Sequence, residues 1–293
     1  MKTQSYIFII LFLLIGINSY SQSDTYLNQK PPSELPEVFA PGIISKDNVY
    51  EFGSVFNKDA TEFYYGVNNR GKEEIRYTKL QNGKWTTSKT IMVHDKHGYN
   101  DPFLSPDENR LYFISQSALD GIGEPKDYDI WYAERTNSGW SEPINTGKHI
   151  NTQADEYYIS FTNEGTMYFS SSREGNNFDI YASKMIDGKF QKPEKLPKEI
   201  NTPSYEADVF IAPDESYIIF CANRKEGLGR GDLYISFKDE KGDWTPSVNM
   251  GPIINTKGHE LCPFVSKDGK YFFYTSNQDI YWVSTQIFKS LKK

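Results

Sequence analysis

One motif recurs five times along the chain, and its spacing decides what the chain can become. Each copy is an apolar strand, a turn carrying an acid, and a second strand rich in Tyr and Phe. The copies start at Gly53 (GSVFNKDATEFYYG), Asp101 (DPFLSPDENRLYFIS), Tyr157 (YYISFTNEGTMYFSS), Ala207 (ADVFIAPDESYIIFC) and Leu261 (LCPFVSKDGKYFFYT). Their turn acids, Asp59, Asp107, Glu164, Asp214 and Asp268, fall 48 to 57 residues apart. A period of that size holds four short strands, and such a unit buries its faces only by packing against copies of itself, as the blades of a β-propeller do.

Two further strands follow each hairpin. The third begins with an acid and alternates apolar with aromatic residues, as in residues 74–77, 129–132, 179–181, 232–234 and 279–282. A Gly-x-aromatic or Gly-aromatic segment comes next at 83–85, 139–140, 188–190 and 242–244, and Pro143, Pro193 and Pro246 follow three of these. Proline has no N–H to donate, so this segment is predicted to be the outermost strand of its blade. A connector ending in Ile-Asn-Thr then leads into the next copy at 150–152, 200–202 and 254–256. The fifth copy stops without its Gly-x-aromatic segment, whereas residues 40–45 match residues 250–255 in position and type. Residues 34–45 are therefore expected to supply the outer strand of the last blade and close the ring, which removes the open edges of the array. The expected fold is all-β, a five-bladed propeller of four-stranded antiparallel blades; a sixth, degenerate blade is the alternative.

This pattern, Phe-x-x-Asp-x-x-x-x-Tyr-Phe with Asp-Ile-Tyr, Gly-x-Trp-x-x-Pro and Ile-Asn-Thr behind it, resembles the TolB-type, WD40-like repeats of bacterial envelope propellers. The resemblance runs over nearly all of residues 34–288. It implies a protein-docking or peptidoglycan-associated envelope module. A minority of such propellers are lyases or gate a peptidase. The peptidoglycan-binding and peptidase domains that accompany some relatives have no counterpart in the repeats.

Ahead of the repeats, Lys2, the apolar residues 7–17 and the small residues around Ser21 form the pattern of a secretory signal, with cleavage after Ser21. Eleven apolar residues are too few to span a hydrocarbon core. Residues 1–21 are read as the leader, 22–33 as a short linker and 34–293 as the propeller, giving a soluble periplasmic or secreted monomer. The net charge of −7 argues against nucleic acid, which demands a basic stripe. The two cysteines, Cys221 and Cys262, lie in neighbouring repeats, as a disulfide or as two buried thiols.

Candidate site residues come from two positions of the repeat. Eight residues before the turn acid, four copies carry Glu51, Glu156, Glu206 and Glu260, and Tyr99 stands in the other. Inner strands line the channel of a propeller, so these five are candidate ligand-binding residues and their carboxylates a candidate site for a divalent cation such as calcium. Against this, the same carboxylates can latch blade to blade through backbone groups or through Arg173 and Arg224. Two residues on, Asp101 and Asp208 replace the Gly, Tyr or Cys of the other copies. They are the candidate catalytic pair of the alternative function, a carbohydrate-active lyase or hydrolase. The leading expectation is a non-enzymatic scaffold that docks an envelope protein or glycan on one face. His94, His97 and His259 with Glu260 make a weak transition-metal candidate. The loops 116–127 and 223–231, carrying Leu119, Ile122 and Leu228, are the candidate docking face.

Overall fold

The computed structural model describes residues 25–118, 123–175 and 177–292. The leader, Leu119 and Ile122 lie outside the described residues. Each of the five copies forms one antiparallel sheet, and the five sheets make a five-bladed β-propeller; the six-bladed alternative is not realised. Blade 1 is built from Tyr50–Phe56, Glu62–Asn69 and Lys72–Gln81, blade 2 from Tyr99–Leu104, Arg110–Ser115 and Asp129–Thr136, and blade 3 from Glu156–Phe161, Met167–Ser171 and Asp179–Ser183. Blade 4 uses Tyr205–Ile211, Tyr217–Asn223 and Asp232–Phe237, and blade 5 uses Leu261–Val265, Tyr271–Ser276 and Asp279–Ser284.

The fourth strand departs from expectation in detail. The Gly-x-aromatic segment pairs only with the far end of the third strand, as at Leu80 to Trp85 and Arg135 to Trp140. The chain then breaks at the proline and resumes pairing beside the middle of the blade, at Ile144–Asn145, Glu194–Lys195 and Val248–Asn249. Blade 1 splits in the same way, between Lys84–Trp85 and Lys89–Met92, with no proline there, so proline marks the break in three blades without being required for it. In blade 5 the outer strand is Glu37–Val38, with Glu37 opposite Trp282 and Val38 opposite Tyr281. Ile44 is buried like Ile254, and Ile43 is exposed like Ile253. The chain ends are thus joined within one sheet.

Aromatic side chains fill the space between blades. Phe39 of the closing segment touches Phe56 and Phe63 of blade 1 and Phe273 and Trp282 of blade 5. Within the stretch read as a linker, Tyr26–Asn28 form a 3-10 turn whose Tyr26 and Leu27 are buried. Tyr26 donates to Asp268 and packs edge-on against Phe56 and Tyr271. At the other end of the chain a 3-10 turn, Thr285–Ser290, lays Phe288 on Tyr217 and Phe272. Both ends dock on the face that carries the turn acids, opposite the Ile-Asn-Thr connectors. No helix among the described residues is long and apolar enough to cross a membrane.

Candidate functional site

Every inner strand is interrupted at the same point of the repeat. Gly53, Asp101, Tyr158, Asp208 and Cys262 all have left-handed backbone, with φ between +44° and +54°. The pairing register to the second strand slips at each of them. These are β-bulges that turn one side chain per blade toward the propeller axis. Non-glycine residues rarely take this conformation, and four such residues in one ring make it a property of the fold. Only blade 1 uses glycine, and space explains it: a Cβ on Gly53 would lie 2.6 Å from Asp101 Oδ1.

The five bulge residues meet. The Cys262 thiol donates to Asp101 Oδ1 at 3.4 Å, and the Cys262 N–H donates to Asp208 Oδ2 at 3.3 Å. The Tyr158 hydroxyl crosses to the Pro263 carbonyl of blade 5 at 3.0 Å. Asp101 is 7% exposed, whereas Asp208 is half-buried. Burial, and then the charge of Asp208, hold the Asp101 carboxyl well above the usual carboxylate range, and burial raises Asp208 as well.

A rim of aromatic rings lies on the connector side of this acid pair. Tyr128, Tyr157, Phe178 and Tyr205 run from blade 2 to blade 4 with ring centres 4.9, 5.3 and 5.6 Å apart, and Tyr50 stands on blade 1. Burial and the charges of Asp101 and Asp208 push the Tyr50, Tyr157 and Tyr205 hydroxyls up, with Asp208 acting on Tyr50 and Tyr205. All five rings are half-buried, so the rim faces solvent. Beside Tyr50 lies a depression of about 570 Å³ whose lining includes His259, Arg230 and Asn277.

The glutamates of the repeat lie elsewhere. Glu156, Glu206 and Glu260 are fully buried, and each receives the Thr N–H and Thr hydroxyl of the connector four residues earlier: Thr152, Thr202 and Thr256, at 2.6 to 3.1 Å. Arg173 and Ser171 complete Glu156, Arg224 completes Glu206, and Ser276 completes Glu260. The connector Asn meanwhile grips the previous blade: Asn151, Asn201 and Asn255 each pair with both the N–H and the C=O of Ile130, Ile180 and Leu233. Ile-Asn-Thr plus Glu is therefore a stitch between neighbouring blades. Sequence reasoning had the glutamates and arginines but not the role of the asparagine, whose recurrence five residues before each of the three glutamates was the available signal.

The stitch fails at two seams. Between blades 5 and 1, Ser45 and Lys46 replace Asn and Thr, and Ser45 Oγ and Glu51 Oε2 have no hydrogen-bond partner although both residues are buried. Burial, with the nearby Asp279 charge, lifts Glu51 to about 7. Between blades 1 and 2, Tyr99 takes the glutamate position and is buried against Phe113 and His97. His97 occupies the seam there, on Ser115 and Ser117, with His94 stacked on it at 4.0 Å. His259 contacts Cys221 instead, at the seam of blades 4 and 5. His97, His259 and Glu260 thus do not meet, and among the described residues no three His, Cys, Asp or Glu are placed to share a metal ion. Cys221 and Cys262 are free, buried thiols. In the 223–231 loop Leu228 is exposed, but the loop itself is pinned: Leu228 and Gly229 N–H groups donate to Asp232, and Gly229 leaves no room for a Cβ against the Thr256 and Gly258 carbonyls.

No protein-family model and no curated protein matches the sequence. Among solved structures, TolB from Acinetobacter baumannii superposes with a TM-score of 0.52 at 13% identity, over 83% of this chain and 56% of that one. The chain has a TolB-like β-propeller fold. It spans little more than half of that TolB chain, and the likeness is one of fold. A thermostable family-43 glycoside hydrolase superposes equally well, with a TM-score of 0.54 at 14% identity over 81% of this chain and 89% of its own. The propeller fold is thus common to a TolB and to a glycoside hydrolase.

Proposed function

We propose that this chain is a binding propeller of the bacterial cell envelope that docks a protein partner on the face carrying the tyrosine rim, without catalysing a reaction. One observation carries the reading: the two aspartates that depart from the repeat are engaged within the axial plug, Asp101 buried against the Cys262 thiol and the backbone of Gly53 and Asp208 accepting the Cys262 N–H. Half-buried tyrosines above a closed channel are the composition of a docking surface, since they offer large contact area at little entropic cost. The leader pattern of residues 1–21 supports export, and the acidic balance supports a partner other than nucleic acid.

The convergence of Asp101 and Asp208 on Cys262 favours a second reading, carbohydrate cleavage, because acid and base roles need two carboxylates held near one another. Two measurements decide. A photo-crosslinking residue at position 205 is expected to capture an envelope protein, and one at position 58 on the opposite face is not. Turnover of any polysaccharide by the purified protein, lost in Asp208→Asn, would overturn the docking reading in favour of the enzyme.

A further inference from the structure

Of the seven arginines, five are paired with glutamates: Arg76 with Glu74, Arg110 with Glu134, Arg135 with Glu62, Arg173 with Glu156 and Arg224 with Glu206. Arg70 and Arg230 have no ion pair among the described residues, and Arg230 lines the depression beside Tyr50. Acids outnumber lysines and arginines in the chain by 39 to 32, yet no aspartate or glutamate lines this depression. The acids whose charges reach Tyr50 are engaged elsewhere, Asp101 and Asp208 at Cys262 and Glu73 at Asn68 and Asn100. The backbone under the cation is fixed: the Arg230 N–H donates to the Gly258 carbonyl at 2.7 Å and Gly231 pairs with His259, across the seam of blades 4 and 5.

Blade 5 adds a second anomaly to the same depression. Among the described residues four two-residue hairpins have left-handed backbone at both central positions. In Arg70-Gly71, Asn82-Gly83 and Asp187-Gly188 the second residue is the glycine that such a turn favours. The fourth is Asn277-Gln278, with glutamine at φ +71°. The Gln278 carbonyl accepts the Glu51 N–H at 3.0 Å, but glycine would offer the same carbonyl, so the backbone does not explain the side chain. Asn277, Gln278 and Asn48 all line the depression, all are exposed, and none of their amides has a hydrogen-bond partner among the described residues. A glutamine kept on strained backbone with its amide unused points to something that the amide meets.

We propose that this depression binds an acidic sugar, one hexuronate residue of a glycan. Arg230 takes the carboxylate, the amides of Asn48, Asn277 and Gln278 take the hydroxyls, and the half-buried Tyr50 ring takes the apolar C–H face of the pyranose. The volume of about 570 Å³ lies within the roughly 300–1,000 Å³ of small-molecule sites. Sugar hydroxyls both donate and accept, as amides do, whereas a phosphate or sulfate ion would leave the amide carbonyls without a donor. One unpaired arginine and no lining acid match one carboxylate. The inference is independent of the docking reading, since a protein can dock on the tyrosine rim with this site empty.

The test uses the whole folded protein and saturation-transfer NMR observed on the sugar, which reads weak binding directly. Sodium D-glucuronate, D-galacturonate and D-mannuronate are the probes, with D-glucose as a polyol lacking the carboxylate and sodium acetate as a carboxylate lacking the polyol. At least one uronate is expected to bind saturably and about tenfold more tightly than either control, the worth of one charged hydrogen-bond pair. Arg230→Gln should bring that uronate down to the level of glucose. Gln278→Gly should weaken it several-fold while holding or raising the melting temperature, because glycine relieves the left-handed backbone; a merely structural glutamine would not separate the two readouts. No response to any uronate, an equal response to glucose or acetate, or binding unchanged in Arg230→Gln or in Gln278→Gly overturns the proposal. Crosslinking at position 205 without uronate binding would leave docking in place and remove the sugar; uronate binding without a crosslink would do the reverse.

Discussion

Thr256 and Lys46 stand at the same point of the repeat and leave their glutamates in opposite states. Thr256 gives Glu260 an N–H and a hydroxyl, so that carboxylate is satisfied where it is buried; Lys46 leaves Glu51 with an orphaned oxygen. Two outcomes follow from that contrast. Glu206→Gln should lower stability by about 1–3 kcal/mol in denaturant unfolding, because it strands Arg224 and Thr202 around a neutral amide. Glu51 works with the reverse sign. Its carboxyl titrates at about 7 when folded but at the ordinary 4.5 when unfolded, so folding takes up a proton between those values. The stability is fully present below about pH 4.5 and is lost as pH rises through 7. Glu51→Gln should thus be more stable than the unaltered protein by about 1–3 kcal/mol at pH 8, and the gain should vanish toward pH 4.5. A variant that tracks the parent at both pH values would show that the carboxyl is hydrated in solution. For the stitched glutamates, whose oxygens are already filled by donors, calcium and chelator alike should leave the melting temperature unchanged.

At the scale of the strand, the sequence made the pairing legible and the bulge opaque. The inner and second strands could be drawn from alternating apolar and aromatic residues, and the ring closure from the likeness of residues 40–45 to 250–255, because burial imposes those patterns directly. The bulge leaves almost no such trace. Left-handed backbone normally advertises itself as glycine, and Gly53 does so, but Asp101, Tyr158, Asp208 and Cys262 adopt it without. Those four side chains are chosen by what they meet across the axis, a distance of whole blades that no local window contains. The same holds for the split outer strand: prolines announced it in three blades, but blade 1 splits at residues 86–88 without one. The acid pair was visible as a departure from the repeat, whereas its meeting at Cys262 became visible only once the blades were placed around the axis.

For the whole molecule, two of the five seams, those on either side of blade 1, lack the stitch, and the ring relies there on other contacts. Arg135 reaches from blade 2 to Glu62 of blade 1, and the aromatic cluster around Phe39 spans blades 5 and 1. Deleting residues 34–45 removes the outer strand of blade 5 and Phe39 together, so the truncated protein should aggregate or melt far below the parent; an unchanged melting temperature would mean that the ring does not depend on its closing strand.

Glu37 pairs with Trp282, and that single register has a consequence in time. A chain made from N- to C-terminus presents its closing strand before any of the five blades, and the partner of that strand only after the other four are complete. Blades 1 to 4 assemble from contacts within or next to each repeat, but the last sheet requires a loop the length of nearly the whole protein, whose closure is slow. Refolding should therefore show an early phase that organises four sheets and a late one that quenches or shifts Trp282 fluorescence. The strand that is made ahead of all five blades is the last to find its place.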